Sequence, residues 1–309
     1  MKTHKNKLIG LGLLLGMLAF NACSSDENLT VDPNILGLGG ETWAKTEIDE
    51  YIDREYVTPY NIEVKYKWDR YEVAHNYRFA PMDEEKVVPL LTAIKRIWIE
   101  PYEKAGGDEF IKKMSFRKFI LIGSQKYESS GGGALGEAEG GRKVTLYRLN
   151  WFSTVTDAAL LKAILKTVHH EYGHILDQTT NLPSEWEDIT ASGYVASWSQ
   201  TGETEELSIK LGFVSRYSRA NPGEDFAEML SLIVTNGRAW FDARVAQAQH
   251  YYNTEALAYN PATALRKKES MVEQYMLNTW GVPLYDMPDG RKGLESYVQQ
   301  AIADVSSGN

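Results

Sequence analysis

Asp157-Ala-Ala-Leu-Leu-Lys-Ala-Ile-Leu-Lys-Thr-Val-His-His170-Glu171-Tyr-Gly-His174-Ile-Leu-Asp-Gln178 reads as a single amphipathic helix. Ala158, Leu161, Leu165, Val168 and Ile175 recur at the three- and four-residue spacing that gathers apolar side chains on one face. That face anchors the helix, as a rigid metal centre requires. His170-Glu171-Tyr172-Gly173-His174 is a His-Glu-x-x-His motif within it. Two imidazoles four residues apart lie one turn above each other, so both can reach one tetrahedral zinc ion (Zn2+). Glu171 directly follows the first histidine and can act as general base on water at the metal. Gly173 is expected to keep the helix surface low where a substrate backbone passes.

A third ligand decides the class. A metzincin needs Gly at 177 and His at 180, where this chain has Asp177 and Thr180, so that class is excluded. A gluzincin takes a glutamate from a second helix, with an acidic residue four later to orient a ligand histidine. Glu224-Asp225-Phe226-Ala227-Glu228 fits, with Glu224 and Glu228 on one face and Phe226, Leu230 and Ile233 to anchor the other. Pro222 is well placed to open that helix. Glu185, Glu187, Asp188 and His250 are rival third ligands, and a solvated acidic face is the competing reading of Glu224 and Glu228. His169 points about 100° around the helix from His170, which suits packing or solvent better than ligation. His75 has no partner near it in sequence.

With Tyr217 standing seven residues before Glu224, the chain resembles the anthrax lethal factor family. There a His-Glu-Phe-Gly-His motif is followed, after a linker of similar length, by Tyr, then Glu, then Phe-Ala-Glu. The resemblance spans roughly residues 160–235. It assigns Glu224 as the third ligand, Glu228 as the carboxylate that orients a ligand, and Tyr217 as donor to the tetrahedral oxyanion. It also gives Asp177 a supporting role behind the ligands.

Around this centre the pattern is mixed α+β. A short helix is expected at Thr46–Tyr56 and strands at Asn61–Trp68, Lys118–Gly123 and Lys143–Asn150. The last strand, just before the active helix, is the expected edge on which an extended peptide adds by main-chain pairing. A helix is expected over Asp83–Glu100, ended by Pro101, and Ser129–Gly141 reads as a mobile Gly-rich loop. Short helices are expected over 184–215, and residues 238–309 read as helical, with segments Ala262–Trp280 and Arg291–Val305. The expected fold is a zincin-like metallopeptidase with a small N-terminal sheet, an active-site helix and a mainly helical C-terminal part. Its domains would be 41–237, catalytic, and 238–309, a helical subdomain.

The N-terminus differs in kind. Lys2, Lys5 and Lys7 precede an apolar stretch, Leu8–Ala22, too short for a comfortable membrane span. It ends at Cys23, the only cysteine. This resembles a bacterial lipoprotein signal over residues 1–22, with Cys23 the lipidated residue and 23–40 a flexible tether. A lipidated Cys23 leaves metal binding to His and carboxylates. The 309-residue chain carries a net charge of −9, and loss of the three lysines makes it more acidic still. Phosphate backbones repel such a chain, which argues against nucleic-acid partners.

The lipid signal, the acidic tail Ser24-Ser25-Asp26-Glu27-Asn28 and the zinc motif together resemble the zinc metallohydrolase lipoproteins of Bacteroidetes found beside TonB-dependent import systems. The resemblance implies an outer-membrane, surface-exposed lipoprotein, held by its N-terminal lipid and associated with an import complex. Its substrate would be a peptide or glycoprotein. The alternative is a non-catalytic lipoprotein that captures glycan or peptide, for which 18 Tyr and 8 Trp are the support. Glu171 favours catalysis, since a pure binder needs no general base beside two metal ligands.

Overall fold

The structure is a computed structural model, and it describes residues 44–307 except 70, 74–76, 128–132, 140–141 and 153–157. The signal segment, the tether with Cys23, and His75 therefore lie outside the described residues. Lys45–Asn309 cluster as one unit. The fold is α+β, as expected, mostly helical around a small four-stranded sheet.

Helix α1 (Glu47–Ile52) opens with a capping box, Thr46 and Asp49 each bonding the other's backbone N–H. Helix α2 (Glu84–Ile94) does not end near Pro101. It runs through a widened turn, Lys95–Ile99, into α3 (Glu100–Gly106), and α4 (Asp108–Met114) follows. Pro101 stands in the first turn of α3, where a missing N–H is tolerated.

The sheet contains β1 (Glu63–Lys65), β2 (Lys118–Leu121), β5 (Gly136–Glu139) and β6 (Lys143–Leu146), in the order β1-β2-β6-β5. The first three in that order are parallel, and β5 is antiparallel to β6, pairing Gly136 with Leu146 and Glu139 with Lys143. The short pair β3 (Lys126–Tyr127) and β4 (Gly133–Ala134) stands apart. Phe119, Leu121, Val144 and Leu146 join the main core on one face. Ile120, Ile122 and Tyr147 form a small second core on the other, with Val73 and Phe79 against it.

This topology corrects an expectation. Strand β6 has neighbours on both sides and offers no free edge. The edges of the sheet are β1 and β5, and β5, the edge beside β6, forms within what reads in sequence as the Gly-rich loop. Gly136 makes its seat possible, because a Cβ there would come within 2.3 Å of Thr167 Cγ2 on the next helix, α5 (Ala158–Thr179).

The chain continues through helices α6 (Glu185–Asp188), α7 (Glu205–Lys210), α8 (Pro222–Asn236), α9 (Arg238–Thr254) and α10 (Pro261–Trp280), with short 3-10 turns at Ala191–Gly193 and Tyr217–Arg219. Helix α11 (Leu294–Ser306) closes the chain and packs on α8 and α3. The most extensive pairing among the described elements is α5 on α8. Gly173 sits at their crossing, where an added Cβ would lie 3.1 Å from Ala227 Cα and 3.4 Å from its Cβ. The glycine therefore serves helix approach and not substrate passage. Gly173→Ala should push the helices apart by a few tenths of an ångström. Because the obstacle is the Ala227 backbone, the overpacking cost of about 1–3 kcal/mol should exceed the roughly 1 kcal/mol that alanine gains over glycine in a helix. Urea unfolding should show a lower midpoint at unchanged slope; an unmoved midpoint would contradict the crossing as described.

Candidate metal centre

Two helices build the site. Helix α5 offers His170, buried, and His174, partly exposed. Helix α8 begins with Asn221 as N-cap, its side chain accepting from Glu224 N–H at 3.0 Å, and Pro222 follows. Glu224 thus stands in the first turn, where the helix dipole favours a carboxylate. Trp186 of α6 pins this turn by donating its indole N–H to Pro222 O at 3.0 Å.

Glu224 Oε2 lies 3.0 Å from His170 Nε2 and 3.2 Å from His174 Nε2, and the two nitrogens are 3.2 Å apart. Ligand atoms about 2.0–2.1 Å from a tetrahedral zinc stand about 3.3–3.4 Å apart, so the triangle fits such an ion. Among the described residues it is the group of His and carboxylate ligand atoms that could hold a metal. Glu185, Glu187, Asp188 and His250 take no part in it.

The electrostatics follow from that crowding. Burial opposes charge on His170, yet the carboxylates of Glu224 and Glu228 outweigh it and raise the imidazole to about 8. Burial likewise works against ionised Glu224, but the two histidines hold it well below the usual carboxylate range. Glu228 is pulled down to about 2 against its own burial, by His170 and Lys166. Glu171 goes the other way: buried, its carboxyl is pushed up by desolvation, partly offset by both histidines.

Glu228 lies behind His170, with Oε1 2.9 Å from Nδ1, a close contact short of an aligned hydrogen bond. Lys166 pairs with the same carboxylate, and Ser215 Oγ donates to Oε2 at 2.8 Å. Asp177 closes the end of α5 by accepting from Leu182 N–H at 3.1 Å, and its other oxygen and His174 Nδ1 both face Gly223. Tyr217 lies on the opening turn Tyr217–Arg219 with its ring stacked on His170, centroids 5.6 Å apart and planes 20° from parallel. Burial and the Glu224 carboxylate push its hydroxyl up, so it stays a proton donor. Arg219 anchors that turn, donating to Gly193 O at 2.9 Å and pairing with Glu203. Trp198 backs Tyr217 at 4.6 Å.

His169 faces away, fully buried against Tyr102, and desolvation lowers it to about 3, so it packs as a neutral ring. Sequence reasoning missed Lys166, Ser215, Trp198 and a buried ion pair beside the site. Lys268 of α10 meets Asp225 at 2.6 Å, both fully buried, under Tyr194 OH at 2.9 Å. Lys166 one turn before His170 was the one available signal, since residues four apart on a helix share a face.

The fold and this His-His-Glu group define a zinc-binding metallopeptidase architecture. Residues 41–285 match the family described as "Putative zinc-binding metallo-peptidase", and the chain belongs to that family. It is also similar to a solved structure described as "a putative zinc-binding metallo-peptidase" from Bacteroides caccae. The two are 26% identical with a TM-score of 0.66, over 86% of this chain and 97% of the other. No curated protein matches the chain.

The raised His170 and the lowered Glu228 belong to one charged cluster with Glu224 and Lys166 in the metal-free protein. Its stabilisation is complete between pH 4.5 and 6.5, is lost as pH falls toward about 2, and is lost as pH rises through about 8. With a chelator present, unfolding free energy should therefore fall above pH 6.5 more steeply in the wild type than in Glu228→Gln. Parallel curves would contradict the pairing.

Proposed function

We propose that the chain is a gluzincin-type peptidase, in which His170, His174 and Glu224 hold one zinc ion and Glu171 is the general base. The observation that carries this reading is the triangle of ligand atoms, all within 3.2 Å of one another, on the helix that also carries the buried Glu171. When bound, zinc supplies Lewis acidity, polarising the scissile carbonyl and making water more acidic. Glu171, its carboxyl raised by burial, accepts a proton from the attacking water and passes it to the leaving amine. Tyr217 donates to the developing oxyanion, a contribution of about 3–4 kcal/mol for one well-placed donor. Glu228 holds the His170 ring from behind, and Asp177 steadies the end of the helix that carries His174. These roles match those that the lethal-factor resemblance assigns.

An extended peptide would add to the free edge of β5, the strand nearest α5, by main-chain pairing. The N-terminal segment supports a surface-exposed outer-membrane lipoprotein anchored through Cys23. Its substrates would then be peptides or glycoproteins near an import complex.

Metal analysis and peptide turnover test the reading together. Wild type should bind one zinc per chain and Glu224→Ala should lose it. Glu171→Gln should keep zinc while its turnover of a mixed peptide library drops at least about 100-fold, the usual scale for a general base. Undiminished turnover in Glu171→Gln would sink the assigned base, and full zinc in Glu224→Ala the ligand set.

A further inference from the structure

We infer that Lys166 and Ser215 are positioning residues that clamp the Glu228 carboxylate behind His170 and thereby set the zinc affinity of the site. The inference rests on His170 being a ligand, as proposed above. It concerns two residues to which no part of the zinc motif assigns a role.

The Glu228 side chain is 4% exposed. A carboxylate that deep is costly unless charge and lone pairs are met. Each oxygen is met by a different element. Lys166, one turn before His170 on α5, pairs with Oε1, the oxygen that also faces His170 Nδ1. Ser215 donates to Oε2 from the segment between α7 and α8. Ser215 is itself held, since its oxygen accepts from Ser218 N–H at 3.1 Å and lies 3.1 Å from Ser218 Oγ. Ser218 belongs to the turn that carries Tyr217, so the clamp joins both metal helices and the Tyr217 turn at one carboxylate.

Geometry and charge then decide what the clamp does. Lys166 and Ser215 bond the carboxylate from two sides, which leaves it no free rotation away from Nδ1. A carboxylate facing Nδ1 keeps the proton on that nitrogen and leaves Nε2, the atom in the ligand triangle, with its lone pair free. The ammonium balances the Glu228 charge, so the carboxylate can stay buried beside Glu224 without a second cation. Lys166 is 28% exposed, so replacing it opens a path along which Glu228 can swing to water and abandon Nδ1.

The test is zinc affinity, measured by competition with a chromogenic chelator on the whole chain. Lys166→Met should weaken binding at least about tenfold, the lower end for partners of ligand histidines. Lys166→Arg should restore affinity to within about threefold of wild type, and Ser215→Ala should weaken it less than Lys166→Met does. In a Glu228→Gln background Lys166→Met should change nothing further, because its effect passes through that carboxylate. Wild-type affinity in Lys166→Met, or an equal loss in both backgrounds, overturns the clamp. His170→Ala separates the two claims. Retained zinc affinity there removes the ligand and the clamp with it, whereas lost affinity there alongside an inert Lys166→Met refutes the clamp alone.

Discussion

The close crossing of α5 and α8 at Gly173 and Ala227 is the constraint on which the site depends. With 3.1 Å between a hypothetical Cβ and the facing Cα, no larger residue fits without displacement. That approach lets a carboxylate in the first turn of α8 meet two imidazoles from the middle of α5. Every other device around the site keeps these two helices in register. Asn221 and Trp186 define where α8 begins, and the apolar faces of both helices merge in the main core.

Burying so much charge is possible because each group has an opposite partner. Glu224 lies between the histidines, Glu228 between His170 and Lys166, and Asp225 against Lys268. The alternation along Glu224-Asp225-Phe226-Ala227-Glu228 sends neighbouring carboxylates in different directions. Glu224 and Glu228 turn toward α5 and Asp225 toward α10. Helix α10 thus supports the metal helix from the side away from the ligands. A buried pair of this kind is worth little against an apolar substitute, but losing one member costs about 3–5 kcal/mol.

Much of this was legible in the residues, and the exceptions have physical causes. The apolar spacing of Leu161, Leu165, Val168 and Ile175 placed α5 within a residue of its observed ends, because a long periodic helix leaves little choice. Pro222 and the four-residue interval from Glu224 to Glu228 likewise marked α8. Strand β5 was hidden because Gly-Glu-Ala-Glu has no β-branched residue and takes its pairing from β6. Pro101 misled because a proline interrupts a helix only when its missing N–H was needed. Nothing in the sequence joins Lys166 or Lys268 to a carboxylate, and only the tertiary packing of α5, α8 and α10 brings the half-buried Lys166 to Glu228 and the fully buried Lys268 to Asp225.

The convergence of three side chains on one ion is tested most directly by anomalous diffraction at the zinc edge from crystals of zinc-loaded protein. The account predicts a single strong peak bonded to Nε2 of His170, Nε2 of His174 and a carboxylate oxygen of Glu224. A peak that lacks Glu224, or one completed by Glu185, Asp188 or His250, would contradict it.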